Sequence, residues 1–535
     1  MASSVAPCGK SVSRLFRCIP GIIATSCVWL SLSWGLFNVG KYAFTDIEWS
    51  LFNDPWLQQV LLFSIKQAGL SALLSVGGAI LLALAIARQV FWGRQWLLVL
   101  LQICFALPVI VVILGVVQVY GRSGWLNSVL GTEFSIYGLA GILLCHVFFN
   151  LPLATRVLVS HLESIPESYY AQAAQMELNG WWRWRWLEWP LIRTQVIGLS
   201  LLVFLLCFNS FTIVLALGGG PKSTTLEVAI YQALRYEFDL PLAGMLALLQ
   251  LTLAIIIAVL ATRLMPASTT AAPVSIRSHQ ETPWLASSKW LIAIRWLGVV
   301  FCLLPLLAIL WGAGAGLSAW PWSSSLGEAT FNSLLIGFGS SLLACLLSLA
   351  MLHFRQQVRA GTSYRYVDHW LEQTAVAALF LPPVVLATGW FIGTLTWRSD
   401  DWSYALIMMA NALMALPFTF RLLAAAFQHC YDYYRPLAQS LNLRHWAWWR
   451  WFLLPMIRKP LAQSLALAWI LSLGDMGVAV LVGAADFNTL PLTIYRLLGS
   501  YQLTSAMAVS VWLLACCGLC YGLVYLTLGR KGVSS

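Results

Sequence analysis

The chain has 535 residues, of which 60% are hydrophobic and only 10% are charged, and its mean hydropathy is +0.79. Soluble domains carry about 25% charged residues and disordered chains are poor in hydrophobic residues, so the composition excludes both classes. The apolar runs are about 20 residues long and do not alternate with polar residues, which predicts helices that cross a membrane.

These runs predict an all-α polytopic membrane protein with about twelve transmembrane helices. The first six predicted spans are 19–39, 57–86, 96–119, 137–159, 195–217 and 242–262. The next six are 291–311, 331–352, 374–397, 404–427, 461–483 and 504–528. No clean cleavage site follows the first span, so we interpret it as an uncleaved anchor and not as a secretory signal.

The charges are distributed unequally between the two sides that these spans define. Loops assigned to the cytoplasm, with the span ends beside them, hold 24 Lys/Arg and 8 Asp/Glu, whereas the outside loops hold 6 and 11. Because positive charge marks cytoplasmic loops, both termini are expected in the cytoplasm. The net charge of +11 therefore indicates which side of the membrane each loop faces and not nucleic-acid binding.

None of the twelve cysteines lies in an outside loop, so no disulfide framework is predicted.

Two sets of six spans are joined by a polar stretch and repeat one another. We expect residues 264–290 to form a cytoplasmic linker between a first half, 1–263, and a second half, 291–535. The recurring elements are Leu151-Pro152 with Leu416-Pro417, Pro190 with Pro455, and Thr225-Leu226 with Thr489-Leu490, at offsets of 265, 265 and 264. Both halves begin inside, so they are predicted to be parallel repeats related by a pseudo-twofold axis along the membrane normal.

Each half has its largest cytoplasmic loop between its fourth and fifth spans, at 167–189 and 432–454. Each loop is predicted to hold a short helix with small residues, a turn, an aromatic-basic helix and a proline that enters the next span. Small residues allow another surface to approach closely, so two equal loops are suited to dock two equal soluble subunits. Interleaved tryptophan and arginine can bind single-stranded nucleic acid, but beside a span an interfacial aromatic belt is favoured.

These loops resemble the EAA loops of ABC-importer permeases, in which Glu-Ala-Ala, an apolar residue and Gly precede a proline. The candidate coupling residues of the first loop are Ala171, Ala173, Ala174, Glu177, Gly180 and Pro190. Those of the second loop are Leu437, Ala438, Leu441, Asn442 and Pro455. Glu177 and Asn442 stand where the family has Gly, each 13 residues before the proline. Asn tolerates a left-handed turn and Glu does so poorly, so Asn179-Gly180 is an alternative place for the first turn.

The resemblance extends over nearly the whole chain. Residues 135–156, 217–232 and 471–480 are similar to permeases of bacterial thiamine importers, and ferric-iron permeases share the fused layout of two times six spans. The resemblance implies a type I ABC importer permease in a bacterial inner membrane, surrounded by lipid. It also implies an ATPase dimer inside, a periplasmic thiamine-binding protein outside, and thiamine or its phosphate esters as cargo, with ferric iron as the alternative cargo.

No catalytic role is expected for this chain. Gly9-Lys10-Ser11 and residues 218–223 lack the spacing of a phosphate-binding loop, so ATP hydrolysis is assigned to a separate polypeptide. The histidines and acidic residues show no metal-ligand spacing, and no cofactor is expected. A secondary transporter with twelve spans in two parallel halves is the alternative from another class.

Asp475 lies in the middle of a predicted span, directly after Gly474. An ionisable residue at membrane depth is a functional hypothesis by default because its insertion is costly. Its equivalent at offset 265 is Ser210, next to Asn209. We expect these four residues to face the interface between the halves and to line the translocation pathway.

Two interpretations of Asp475 stay open at this point. Phe208 and Phe211 lie near its equivalent position, so a carboxylate with two aromatic rings would suit a cargo with a cationic thiazolium and an aromatic pyrimidine. Alternatively, Asp475 is a structural residue that bonds to the backbone or to Lys66, the basic residue within the second predicted span.

Overall fold

The chain is described here from a computed structural model. It covers residues 9–45, 53–89, 91–131, 135–178, 180–264, 289–316, 324–359, 364–395, 402–441, 443, 445–483 and 487–529. These residues form helices and no strands, which confirms the predicted all-α class. Ten of the described helical segments are long and apolar enough to cross a membrane.

The described residues of the first half form twelve α-helices. They are α1 (Gly9–Ala43), α2 (Pro55–Ala87), α3 (Arg94–Ala106), α4 (Val109–Tyr120), α5 (Trp125–Leu130), α6 (Leu139–Glu163), α7 (Glu167–Gln175), α8 (Gly180–Arg183), α9 (Trp189–Phe208), α10 (Phe211–Leu217), α11 (Leu226–Gln232) and α12 (Leu240–Leu264). A π-helical turn, Trp184–Glu188, joins α8 to α9.

The second half repeats this order with ten described helices. They are α13 (Lys289–Gly316), α14 (Ser324–Arg359), α15 (Tyr364–Phe380), α16 (Pro383–Thr394), α17 (Trp402–Ser440), α18 (His445–Trp448), α19 (Leu454–Leu473), α20 (Gly477–Val482), α21 (Leu490–Gly499) and α22 (Leu503–Val524). The π-helical turn recurs at Trp449–Leu453. Residues 265–288, most of the predicted linker, lie outside the described residues, so the division into two domains there stays a prediction.

Four predicted spans are interrupted in the structure, which the apolar runs alone did not indicate. The spans 96–119 and 374–397 divide at Leu107-Pro108 and Leu381-Pro382. Proline lacks an N–H group and its ring pushes the preceding residue out of the helical region, and Leu107 is accordingly extended, with ψ 142°. The spans 195–217 and 461–483 divide at Asn209-Ser210 and at Gly474–Met476, at the positions singled out for the pathway.

The two halves interlock through their first helices. Helix α1 packs against α14 and α16 of the second half, and α13 packs against α2 and α4 of the first. A Cβ atom added to Gly389 in α16 would lie 2.0 Å from the carbonyl oxygen of Gly35 in α1. A Cβ added to Gly115 in α4 would lie 2.6 Å from the carbonyl oxygen of Pro305 in α13. Glycine thus permits backbone contact at both crossings, as is usual for membrane helices.

We expect Gly389→Ala to destabilise the protein by about 1–3 kcal/mol, because the new methyl group overlaps the backbone of α1. Gly518→Ala is the matched control, since a Cβ there meets no atom within 4 Å. Thermal unfolding of the purified protein in detergent measures the difference. Equal midpoints for the two variants would contradict the close crossing of α1 and α16.

Candidate coupling loops and translocation pathway

The first cytoplasmic loop turns at Glu177 itself. Glu177 has φ +55°. Its N–H donates to the carbonyl oxygen of Ala174 at 3.1 Å, and the N–H of Leu178 donates to the carbonyl oxygen of Ala173 at 2.9 Å. This pair of bonds is the Schellman ending, in which a left-handed residue follows the helix. Gly180 is also left-handed, with φ +53°. The alternative that the turn lies at Gly180 instead of Glu177 was therefore wrong, because both residues adopt the left-handed conformation.

The second loop ends its helix with the same hydrogen bond. The N–H of Leu443 donates to the carbonyl oxygen of Ala438 at 3.1 Å, at the positions equivalent to Leu178 and Ala173. Asn442 lies outside the described residues, so its left-handed turn stays a prediction.

The predicted short helix is separate only in the first loop. Pro166 separates α6 from α7, whereas α17 runs without interruption from the membrane to Ser440. The residue at the position equivalent to Pro166 is Tyr431, which keeps its N–H and continues the helix. The prediction of a separate short helix in the second loop was therefore wrong.

Burial divides the candidate coupling residues into two groups. Ala173 and Ala438 are only 4% and 7% exposed, so both point into the protein. Ala174 is half-buried, whereas Ala171, Glu177, Gly180, Pro190, Leu437, Leu441 and Pro455 are exposed. Met176, which was not among the candidates, is 70% exposed beside Glu177. An exposed apolar side chain therefore follows the small residues in each loop, Met176 in the first and Leu441 in the second.

The halves hold equivalent loops in place by different chemistry. In the first half, the fully buried carboxylate of Glu188 pairs with Arg88 at the end of α2 and with Arg183, whose Nε lies 3.4 Å from Oε1. In the second half, Trp448 replaces Arg183, and its ring stacks on that of Phe452 with centroids 5.5 Å apart. Arg88 ties the first loop to α2, and the ring of Tyr431, 5.5 Å from that of Trp448, ties the second loop to α17.

Asp475 caps the broken helix of the second half. Its Oδ1 accepts the N–H of Gly477 at 3.2 Å, at the start of α20, while its Oδ2 is buried and has no hydrogen-bond partner among the described residues. Lys66 is exposed, and no ion pair within the described part of the chain joins it to Asp475. The bond to the backbone is thus confirmed, and the pairing with Lys66 was wrong.

The helix breaks of the two halves lie against each other. A Cβ added to Gly477 would lie 3.4 Å from Cδ1 of Phe211, 3.6 Å from Oδ1 of Asp475 and 3.9 Å from Oγ1 of Thr212. A Cβ added to Gly474 would lie 3.0 Å from Cα of Pro108. The start of α20 thus meets the start of α10, and the end of α19 meets the break between α3 and α4.

The polar residues of the first break remain within their own half. Oδ1 of Asn209 accepts Nε2–H of Gln250 at 3.2 Å, and Ser210 is the extended residue before α10, without a side-chain bond to that helix. Phe211 and Asp475 thus both lie next to Gly477. Phe208 is only 2% exposed and packs inside the protein.

A cavity of about 380 Å³ opens between α3 and α6. Its lining residues are Leu101, Phe105, Leu153, Arg156, Val157, Ser160 and His161. The centroid of the Phe105 ring lies 6.5 Å from that of the Phe418 ring, so the cavity adjoins the second half.

Sequence reasoning missed this cavity and the breaks at Pro108 and Pro382. The repeated Leu-Pro pairs at 107–108 and 381–382 were the signal that could have found the breaks.

The chain is similar to known transport proteins over almost its whole length. Residues 75–268 match the family described as binding-protein-dependent transport system inner membrane component. The thiamine transport system permease protein ThiP of Escherichia coli strain K12 is 37% identical over 524 residues, which cover 96% of this chain and 97% of that protein. The protein of that name from Haemophilus influenzae Rd is 37% identical over 495 residues, or 90% of each chain.

The broken helices, the paired loops and these similarities define the chain as the permease component of an ABC importer. It is a multi-pass inner-membrane transport component and not an enzyme, and the secondary-transporter alternative was wrong. Within this class, the chain belongs to the family of thiamine transport system permease proteins.

We expect Glu177→Gly to stabilise the protein by about 1 kcal/mol, because glycine adopts the left-handed conformation without a Cβ penalty. Glu177→Ala, the control, keeps the Cβ and gains no such relief. Thermal unfolding in detergent compares the two variants. Equal shifts in both would mean that the left-handed backbone at Glu177 carries no strain.

Proposed function

We propose that this importer carries thiamine or thiamine phosphates into the cytoplasm. The observation that carries the proposal is 37% identity over 96% of the chain to a protein named as a thiamine transport permease. The residues are compatible with that cargo, because the carboxylate of Asp475, whose Oδ2 has no hydrogen-bond partner among the described residues, and the ring of Phe211 both lie next to Gly477. A cationic aromatic ring such as a thiazolium is attracted to both groups.

We further propose that the cargo passes between the two helix breaks, lined by Asn209, Ser210, Gly474 and Asp475. Non-helical backbone at membrane depth is tolerated only where protein or a water-filled cavity surrounds it. The contact of Gly474 with Pro108 and of Gly477 with Phe211 supports a common path for both halves. The cavity between α3 and α6 would continue this path toward the cytoplasm.

The energy source in this proposal is a separate ATPase that docks on the two cytoplasmic loops. The support is the equal ending of α7 and α17, where Ala173 and Ala438 accept the same backbone bond. Met176 and Leu441 then stand exposed at both endings and present an apolar surface to each ATPase subunit. A periplasmic binding protein would deliver cargo from the outside. The distribution of basic residues favours a cytoplasmic position for both termini.

The direct test is uptake of labelled thiamine by bacteria that cannot synthesise it and lack their own importer. Cells that express this chain with its ATPase and binding protein should accumulate label, and cells without this chain should not. Unlabelled thiamine phosphates in excess should compete, and ferric citrate should not. Uptake that is unchanged by removal of the chain would overturn the proposed cargo.

We expect Asp475→Asn to reduce thiamine uptake at least tenfold while the protein assembles normally. Asparagine keeps an oxygen that accepts the N–H of Gly477, so the cap of α20 survives and only the charge is lost. Asp475→Ala removes both and should also lower thermal stability. Normal uptake by the Asn variant would show that Asp475 caps α20 and that its charge has no role in transport.

We expect Met176→Glu to abolish uptake and to weaken binding of the ATPase, because a charge would be buried in an apolar contact. Met176→Leu is the matched control and should leave both unchanged. Co-purification of the ATPase with the detergent-extracted permease gives the binding readout. Full ATPase recovery with the Glu variant would exclude Met176 from the docking surface.

A further inference from the structure

Two large aromatic residues adopt a backbone conformation that glycine normally supplies. Phe238 has φ +55° and Tyr501 has φ +60°, and both side chains are largely exposed, at 74% and 90%. A left-handed conformation costs a residue with a Cβ about 1–2 kcal/mol, and for a bulky residue it is an outlier that calls for a reason.

The two residues occupy equivalent turns of the two halves. Phe238 lies between α11 and α12, and Tyr501 lies between α21 and α22, each two residues before the second helix begins. A backbone hydrogen bond closes each turn. The N–H of Asp239 donates to the carbonyl oxygen of Ala233, and the N–H of Gln502 donates to the carbonyl oxygen of Leu497, both at 2.9 Å.

The helices before these turns are also fixed in the same way. The N–H of Leu226 donates to Oγ of Ser64 at 3.0 Å, and the N–H of Leu490 donates to Oγ of Ser333 at 2.8 Å. The left-handed conformation thus recurs at the same turn in both halves. Glycine would satisfy it without strain, so the exposed rings need an explanation outside the chain's own packing.

A row of aromatic rings connects the first turn to the helix breaks. The ring of Tyr231 lies 5.5 Å from that of Phe211 and 5.6 Å from that of Tyr236, which is exposed next to the turn. The turn thus lies at the end of the pathway that the charge distribution assigns to the outside.

We propose that Phe238 and Tyr501 are paired aromatic anchors on which the cargo-loaded periplasmic binding protein docks. This inference rests on the proposed function, in which such a protein delivers the cargo. Exposed aromatic residues that enter pockets of a partner dominate the binding energy of many interfaces. One anchor on each half would hold the partner across the pseudo-twofold axis, above the pathway.

The surroundings favour a protein partner over the lipid surface. Glu237 and Asp239 flank Phe238 and are both exposed, so the first anchor stands between two carboxylates. Carboxylates are poorly suited to an anchor that enters the membrane interface, whereas they complement a basic rim on a soluble protein. The partner is therefore expected to present apolar pockets with basic residues around at least one of them.

The test uses the permease assembled with its ATPase in lipid nanodiscs and the purified thiamine-binding protein loaded with thiamine. ATP hydrolysis is measured as the concentration of the binding protein is raised. The variants are Phe238→Gly and Tyr501→Gly, alone and together, because glycine removes the ring and relieves the strained backbone. Phe238→Tyr is the control that keeps an aromatic ring.

Each glycine variant is expected to raise the half-saturating concentration of binding protein at least fivefold, which corresponds to the loss of an anchor worth about 1 kcal/mol or more. Hydrolysis without the binding protein and thermal stability should be unchanged or improved, and Phe238→Tyr should behave as the parent protein.

Two outcomes overturn the inference alone. One is an unchanged half-saturating concentration in the double variant, and the other is a loss of thermal stability in the glycine variants, which would assign the rings to the membrane interface. If the parent complex itself shows no stimulation by the loaded binding protein, the proposed function fails and the inference fails with it.

Discussion

A helix that breaks inside a membrane exposes backbone groups that lipid cannot satisfy, so every break must be covered by protein or must line a cavity. The described residues contain four such breaks, at Leu107-Pro108, Asn209-Ser210, Leu381-Pro382 and Gly474–Met476. The contact of Gly474 with Pro108 and the meeting of α20 with α10 show how the two halves cover three of these breaks for one another. The exchange of α1 and α13 between the halves follows from the same need, because it closes the assembly around the breaks.

The duplication preserves the backbone more strictly than the side chains. The bond from Leu178 to Ala173 recurs from Leu443 to Ala438, although the side chains that hold the two loops differ. A buried carboxylate pairs with two arginines in one half, and stacked aromatic rings fill the same place in the other. A partner with two equal subunits requires equal loop geometry, but it does not constrain how each loop is held. The left-handed Phe238 and Tyr501 fit this pattern, since the conformation is repeated at both turns.

The sequence was sufficient for features that depend on composition and on repeated spacing. Apolar runs predicted the helical class, and three matches near one offset predicted the duplication.

The sequence was insufficient where tertiary contacts decide the outcome. The propensity of Glu against a left-handed turn favoured Gly180, but the helix ending imposed that conformation on Glu177. The small residues Ala173 and Ala438 suggested a docking face, yet only the packing of the loop shows that they face inward. Asp475 was singled out by its cost in a membrane, but its role as a helix cap became visible only with the break beside it.

The central claim is that the helix breaks of the two halves meet across the pseudo-twofold axis. A cysteine at Thr212 and another at Gly477 test it directly, in a background without the native cysteines, because a Cβ at Gly477 lies 3.9 Å from Oγ1 of Thr212. With a protease site inserted between residues 265 and 288, oxidation before cleavage should keep the two halves together on a non-reducing gel. A pair of Thr212→Cys with Gly518→Cys should not link them. Separation of the halves in the first pair, as in the control, would contradict the account.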